Sequence, residues 1–224
     1  LYTHEFEDSD VANSSSSLGL SGVKDRAQVF VNGVFQGLSY RVSPSDVTIK
    51  SSVSRGDVLQ ILVENMGRIN FSPNGMKDTR KGLTGNVTLN GESVLLNWNI
   101  TCIPLDNYTA FDEMKWVDVA VAGESSTGPT FYRTESIDFD GQSDTFLNSD
   151  SNGLSKGFAW INGFNLGRYW PIQGPQKTLY VPAPRTVGGV HDDRRLVLLE
   201  LEAHATDSGE PRTVLFQDYS ILSH

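Results

Sequence analysis

Cysteine is almost absent from the sequence, since Cys102 is the only one in 224 residues. A single cysteine excludes an internal disulfide framework and any metal site built on several cysteine ligands. Basic residues are also scarce: 18 Lys and Arg stand against 27 Asp and Glu, a formal charge of −9. Such a chain repels a phosphate backbone, which excludes nucleic acid as a partner. No apolar run approaches the roughly 18 residues of a membrane-spanning helix, so the sequence predicts no membrane span.

Helical patterns are missing as well. No capped segment of ten residues or more repeats its apolar residues with the 3.6-residue period of a helix. Short runs of β-branched and aromatic residues instead alternate with Gly, Asn, Asp, Ser and Pro, which is typical of β-strands. The clearest runs are 27–31, 58–63, 94–98, 130–134, 158–161, 178–181 and 196–201. The sequence therefore predicts an all-β chain.

A repeated motif divides the chain into two parts. Residues 30–37 and 160–167 share the pattern aromatic-aliphatic-Asn-Gly-x-x-x-Gly at an offset of 130 residues. In each copy Asn-Gly supplies the positive φ angles that a two-residue hairpin turn needs. We therefore expect two tandem β-sandwiches, over 1–108 and 128–224, joined by a linker over 109–127.

Glycosylation sequons provide the information on cellular location. The pattern Asn-x-Ser/Thr occurs at Asn13, Asn70, Asn86, Asn99 and Asn107. An acceptor sequon belongs on the surface of a protein that passes through the secretory route. Five of them predict a glycoprotein that is lysosomal or secreted.

Four sequence blocks carry a resemblance to a known family. Residues 25–37 and 62–70 resemble the first β-domain of family 35 glycoside hydrolases, the β-galactosidases of the animal lysosomal type. Residues 156–171 and 174–182 resemble the second β-domain of the same family. The blocks follow each other in the family order, and a sixteen-residue match is highly specific. The resemblance implies two jelly-roll sandwiches of the galactose-binding-like type.

The resemblance also implies a function. In this family an α/β barrel precedes the β-domains and carries the two carboxylates of the retaining reaction, which lie about 5–5.5 Å apart. No motif in the present sequence supplies such a catalytic pair, a cofactor site or a metal site. The implied role is that of the non-catalytic C-terminal part of a β-galactosidase, which braces the barrel and shapes the rim of the galactose pocket. By resemblance the rim residues are Arg68, Asn70 and Phe71.

Phe71 is a departure from the family pattern, which usually has tyrosine there. The chain keeps the aromatic ring and lacks the hydroxyl donor. Ser72 follows Phe71 and makes Asn70 a sequon. A glycan on Asn70 would crowd an active-site mouth, so the sequence leaves open a site that is not catalytic or an Asn70 that is unmodified.

The start of the chain bears on its partners. Leu1–His4 resembles a segment that lies inside the first β-domain of the family, so the first sandwich is expected to lack its opening strand. An edge left unpaired can be completed by another polypeptide. The expected partner is the catalytic barrel chain of the same enzyme or a second copy of this chain.

A cluster of aromatic and cationic residues suggests an alternative function. Trp160, Arg168, Tyr169 and Trp170 could bind a sugar, because aromatic faces beside a guanidinium suit that task; packing within the sandwich is the other interpretation. In the alternative, the chain is a stand-alone galactose-binding lectin or a structural glycoprotein derived from such an enzyme, with galactosides as ligands.

Overall fold

The structure is a computed structural model, and its described part leaves gaps in the sequence. The residues described are 1–12, 14–71, 79–106, 108–118, 128–134, 137, 143–150, 154–186, 195–202 and 213–222. The chain divides into two compact units, Leu1–Ile103 and Pro104–His224. Each unit is all-β, as the sequence predicts.

The first unit consists of two main sheets and a short two-stranded ribbon in the described residues. Its strands are β1 (Tyr2–Glu5), β2 (Ser16–Leu20), β3 (Val23–Lys24), β4 (Arg26–Val31), β5 (Val34–Tyr40), β6 (Val47–Ile49), β7 (Val58–Glu64), β8 (Gly82–Leu83), β9 (Val87–Leu89), β10 (Ser93–Val94) and β11 (Asn99–Ile100). One sheet has the order β11-β1-β7-β4-β5, and the other has the order β10-β9-β2-β6. A ribbon of β3 and β8 lies beside them.

The core of the first unit lies between its two main sheets. Leu18 and Leu20 from β2 alternate with less buried residues, and so do Leu59 and Ile61 from β7. All four belong to one buried cluster. Alternation of this kind places every second side chain on the inner face of a sheet. The two sheets therefore form a sandwich.

β1 does not lie at the edge of its sheet. It pairs with β7 through residues 2–5 and with β11 at Tyr2 and Thr3. Tyr2 and Thr3 are therefore paired on both sides, by β7 and by β11. β11 itself, only two residues long, is the edge strand there.

The second unit repeats the arrangement. Its strands are β12 (Thr130–Arg133), β13 (Thr145–Asn148), β14 (Gly157–Ile161), β15 (Phe164–Tyr169), β16 (Thr178–Val181), β17 (Leu196–Glu200) and β18 (Leu215–Gln217), with short helices α1 (Ala110–Glu113) and α2 (Ala183–Thr186). Within the described residues, one sheet runs β12-β17-β14-β15 and the other β16-β13-β18. The first order matches β1-β7-β4-β5, and the second matches β6-β2-β9. The described helices are single turns, and none has the length and apolar character needed to cross a membrane.

The two Asn-Gly hairpins have the same geometry. Asn32 and Gly33 have φ angles of 50° and 77°, and Asn162 and Gly163 have 46° and 82°. Each hairpin also carries a register shift at the same place, after Val29 in the first copy and at the matching position in the second. The repeat seen in the sequence is thus a repeat of strand order, turn and bulge.

The boundary between the units falls earlier than expected. Part of the predicted linker 109–127 belongs to the second unit, where Phe111 is buried and Asp112 lies 3.0 Å from the guanidinium of Arg195. The reason is physical, since a buried aromatic ring fixes the segment that carries it. Residues 119–127 lie outside the described part of the chain.

Candidate functional site

The segment 68–71, which we call the rim segment, follows strand β7 in the first unit. Arg68 and Asn70 are exposed, and Phe71 is 80% exposed. A phenylalanine ring that reaches so far into solvent contributes nothing to the core of its own unit. The ring is therefore free to contact another molecule.

The chain just before the rim segment is held by the carboxylate of Asp25. One Asp25 oxygen accepts a hydrogen bond from Arg41 Nη1 at 2.9 Å, and the other accepts one from the Met66 N–H, also at 2.9 Å. Lys81 donates both to Asp25 and to the carbonyl oxygen of Gly67. Three side chains distant in sequence, those of Asp25, Arg41 and Lys81, thus converge on the turn that leads to Arg68, and they fix its backbone.

The electrostatics of this cluster favour an ionised Asp25. Burial alone disfavours the charge, but the hydrogen bonds from Lys81, the Met66 N–H and Arg41 outweigh it and hold the pKa of Asp25 below its ordinary value. The carboxylate therefore stays charged through the neutral and mildly acidic range, and the anchor stays closed there.

A second buried ion pair fixes the end of β7, from which the rim segment departs. Arg26 and Glu64 lie directly opposite each other on β4 and β7, with Nη1 and Oε2 3.7 Å apart. Arg26 Nε also donates to the Tyr40 hydroxyl at 3.3 Å, and its guanidinium lies 5.7 Å from the centre of that ring. The start of the segment is therefore as firmly positioned as the turn.

Trp160 and Tyr169 are core residues of the second unit. Trp160 is 1% exposed, donates from Nε1 to the carbonyl oxygen of Leu105 at 3.2 Å and packs against the Phe111 ring. Tyr169 is 2% exposed, and its hydroxyl donates to Leu199 O at 3.0 Å. Neither ring has a face open to a ligand, which corrects their assignment as sugar-binding residues and supports the packing interpretation.

Arg168 and Trp170 are half-buried and have different partners. The guanidinium of Arg168 lies 5.1 Å from the centre of the Phe158 ring, and the ammonium of the buried Lys156 lies 4.4 Å from the centre of the Trp170 ring. Because Trp160 and Tyr169 are buried, the four residues do not together form one exposed surface. Sugar binding at Arg168 and Trp170 stays a prediction.

Glu200, which no sequence motif singles out, organises the same region. Its buried carboxylate accepts hydrogen bonds from the backbone N–H groups of Ser155, Lys156 and Glu202. The Tyr169 hydroxyl oxygen lies 3.2 Å from the same carboxylate, which therefore competes with Leu199 O for its single proton. The signal in the sequence is a glutamate at the end of an otherwise apolar strand, because a buried carboxylate needs donors around it. This site stabilises the fold of the second unit.

Of the five sequons, Asn70, Asn86 and Asn99 are described, and all three are exposed. Asn13 and Asn107 lie outside the described residues. Within the described ranges no three His, Cys, Asp or Glu side chains come together in a way that could hold a metal ion.

Two known domain families match this chain. The family description "Beta-galactosidase, first all-beta domain" matches residues 1–106, and "Beta-galactosidase, galactose-binding domain" matches residues 129–186. The chain belongs to the β-galactosidase family. Its two units are the β-domains that these descriptions name, which confirms the resemblance seen in the sequence and the all-β fold class.

Individual members of the β-galactosidase family cover most of this chain. Beta-galactosidase of Bos taurus is 40% identical over 218 residues, which are 91% of this chain and 32% of the relative. Beta-galactosidase of Mus musculus is 39% identical over 220 residues, with the same two shares. Beta-galactosidase-1-like protein 2 of Homo sapiens is 42% identical over 181 residues, 79% of this chain and 27% of that relative. The chain spans about a third of the length of these curated relatives.

Proposed function

We propose that this chain is the non-catalytic, C-terminal β-sandwich part of a β-galactosidase, where it braces the catalytic barrel and contributes the rim segment to the galactose pocket. The observation that carries the proposal is the rim segment itself. Its backbone is anchored through Asp25, while Phe71 at its end is exposed. Such a segment is built to present an aromatic ring to something outside its own sandwich.

Rigidity is what makes the rim segment suitable for a pocket. A group that borders a substrate must stay within a fraction of an ångström of its place, and residues behind it must hold it there. Asp25, Lys81 and Arg41 do this for the backbone before Arg68. The two catalytic carboxylates of a retaining β-galactosidase would come from the barrel, since hydrolysis needs a pair about 5–5.5 Å apart.

Replacing Phe71 by alanine tests the rim role in the intact β-galactosidase that carries this chain. We expect kcat/KM for a β-galactoside to fall about tenfold, which corresponds to about 1.4 kcal/mol of lost transition-state stabilisation. The unfolding midpoint should not change, because the ring is exposed in its own unit. Phe71→Tyr should retain or raise kcat/KM, since it keeps the ring and restores a hydroxyl donor.

Phe35→Ala is the matched control. It removes an aromatic ring from the same unit, one that is 41% exposed and packs on Phe30. We expect it to leave kcat/KM unaltered. If Phe71→Ala changes kcat/KM no more than Phe35→Ala does, the rim role is wrong.

We further propose that the chain passes through the secretory route and is a lysosomal or secreted glycoprotein. Two observations support this. The described sequon residues Asn70, Asn86 and Asn99 are all on the surface, and the relatives named above are animal proteins. Occupied sequons on the purified protein are the measurement that tests the route.

A further inference from the structure

The first unit has an open groove beside its edge strand β11. The groove has a volume of about 560 Å³, within the range of about 300–1,000 Å³ that holds a small organic ligand. Its walls are mainly polar, and Phe6 also lines it. The residues that matter for its chemistry are Glu5, Glu7, Asp8, Arg55, Asn97 and Asn99.

Hydrogen-bonded pairs form the walls of this groove. Arg55 Nη1 donates to a carboxylate oxygen of Asp8 at 3.2 Å, and Asn97 Nδ2 donates to a carboxylate oxygen of Glu7 at 3.2 Å. Each carboxylate keeps further lone pairs, and a guanidinium has five N–H donors. Both donors and acceptors therefore line the groove, and together they suit the hydroxyl and acetamide groups of a saccharide.

Asn99 combines this groove with a sequon. It lies in the groove wall, its side chain is exposed, and Thr101 completes the acceptor pattern. We propose that Asn99 carries an N-linked glycan whose first sugars lie in the groove. The inference rests on the proposed secretory route, and it goes further by assigning one of the sequons and a seat for its glycan.

The attachment is a group transfer with a defined balance. The Asn99 amide nitrogen forms a bond to C1 of the reducing-end N-acetylglucosamine of a lipid-diphosphate-linked oligosaccharide. The bond from that C1 to the diphosphate oxygen breaks, so the lipid diphosphate leaves with the bonding electron pair. The amide nitrogen loses one proton to the transferring enzyme or to solvent. No oxidant or reductant is needed.

A glycan in this place has a structural consequence. β11 is the edge strand of its sheet, and Ile100 beside Asn99 is 64% exposed. Exposed edge strands with apolar side chains invite pairing with another chain. A bulky hydrophilic glycan on Asn99 blocks the approach of a second chain to β11, so chains do not associate through this edge.

The test is secretion of the chain from animal cells, followed by mass spectrometry of its glycopeptides. We expect a glycan on Asn99. Under native conditions an amidase that cleaves N-glycans should release it more slowly than a glycan on Asn86, and this difference should vanish after denaturation. Arg55→Ala, which opens one wall, should make native release at Asn99 as fast as at Asn86 without changing occupancy.

Asn99→Gln and Thr101→Ala both remove the sequon, and each is expected to lower Tm by about 2–4 °C. Asn86→Gln serves as the control and should leave Tm unchanged.

A bare Asn99 beside an occupied Asn86 overturns the inference and leaves the secretory route intact. Bare sequons throughout the chain overturn both the inference and the secretory route. The seat in the groove is overturned if the amidase releases the glycans of Asn99 and Asn86 at equal rates under native conditions. It is also overturned if Arg55→Ala leaves the native release rate at Asn99 unchanged. NMR titration of the unglycosylated chain with free N-acetylglucosamine covers one further outcome. If Asn99 is bare and the sugar shifts the resonances of the groove residues, the groove is a site for a free sugar, and the proposal is overturned.

Discussion

Replacing Gly157 by alanine is expected to unfold the second unit. Gly157 lies in β14, between β15 and β17, and a Cβ atom there would overlap the carbonyl oxygen of Leu199 and lie 2.5 Å from the Tyr169 hydroxyl oxygen. The first of these is backbone in the adjacent strand and cannot move aside. Overpacking usually costs about 1–3 kcal/mol, and the cost exceeds about 4 kcal/mol where the neighbour is fixed. Urea unfolding followed by near-ultraviolet circular dichroism measures the loss.

Gly91→Ala is the matched control for this substitution. Gly91 has a φ angle of 75°, and nothing lies within 4 Å of the place where its Cβ would stand. Only the left-handed backbone conformation opposes alanine there, which costs about 1–2 kcal/mol. If Gly157→Ala is no more destabilising than Gly91→Ala, then β14 does not pack against Leu199 and Tyr169 as described.

Replacing Asp25 by alanine is expected to destabilise the first unit and to free the rim segment. The change leaves the charged groups of Arg41 and Lys81, each only 22% exposed, without their carboxylate. Breaking a buried pair by removal of one partner costs about 3–5 kcal/mol, and partial exposure of the two cations brings the expected loss to about 3 kcal/mol. Hydrogen exchange at the Met66 N–H should accelerate, because its acceptor is gone.

The pH dependence of this loss follows from the lowered pKa of Asp25. A carboxylate whose pKa is lower in the folded state contributes its stability above the unfolded value, about 3.9, and loses it as the pH falls through the folded value. The deficit of Asp25→Ala should therefore be full at pH 7 and at pH 5, and it should shrink below about pH 4. Asp8→Ala is the control, since its pair with Arg55 is exposed and exposed pairs contribute little. A deficit that is constant down to pH 2 would show that folding does not lower the pKa of Asp25.

Runs of β-branched and aromatic residues predict six of the eighteen described strands, namely β4, β7, β12, β14, β16 and β17. The predicted strand 94–98 is wrong beyond Val94, because β10 ends there. Asn32-Gly33 and Asn162-Gly163 determine their own turns through their φ angles, so both hairpins could be predicted without knowledge of the rest of the chain. The repeat then predicts two similar units. The strand orders of the two units match, in agreement with that prediction.

The anchors of the fold could not be predicted in the same way. Asp25 and Lys81 are 56 residues apart in sequence, and nothing near either of them indicates the other. The partners of the glutamates at the ends of β7 and β17 could not be predicted from the sequence either. Glu64 and Glu200 each end an apolar strand, but Glu200 lies opposite Gly157, whereas at the matching position of the first unit Val63 lies opposite Ala27. A shift of one residue sends a side chain to the other face of a sheet. Glu64 therefore pairs with Arg26, whereas Glu200 binds backbone N–H groups.

The measurement that tests the central claim most directly is the mass of the protein purified from its natural source, under native and denaturing conditions, with β-galactosidase activity assayed on the same sample. The account predicts that a catalytic domain accompanies this chain, either in the same polypeptide or in a second one of barrel size. Hydrolysis of a β-galactoside should follow that larger species, and a fraction containing this chain alone should show no turnover. A sample that holds only this chain, as a monomer or as copies of itself, would contradict the enzyme assignment, and so would turnover by the isolated chain.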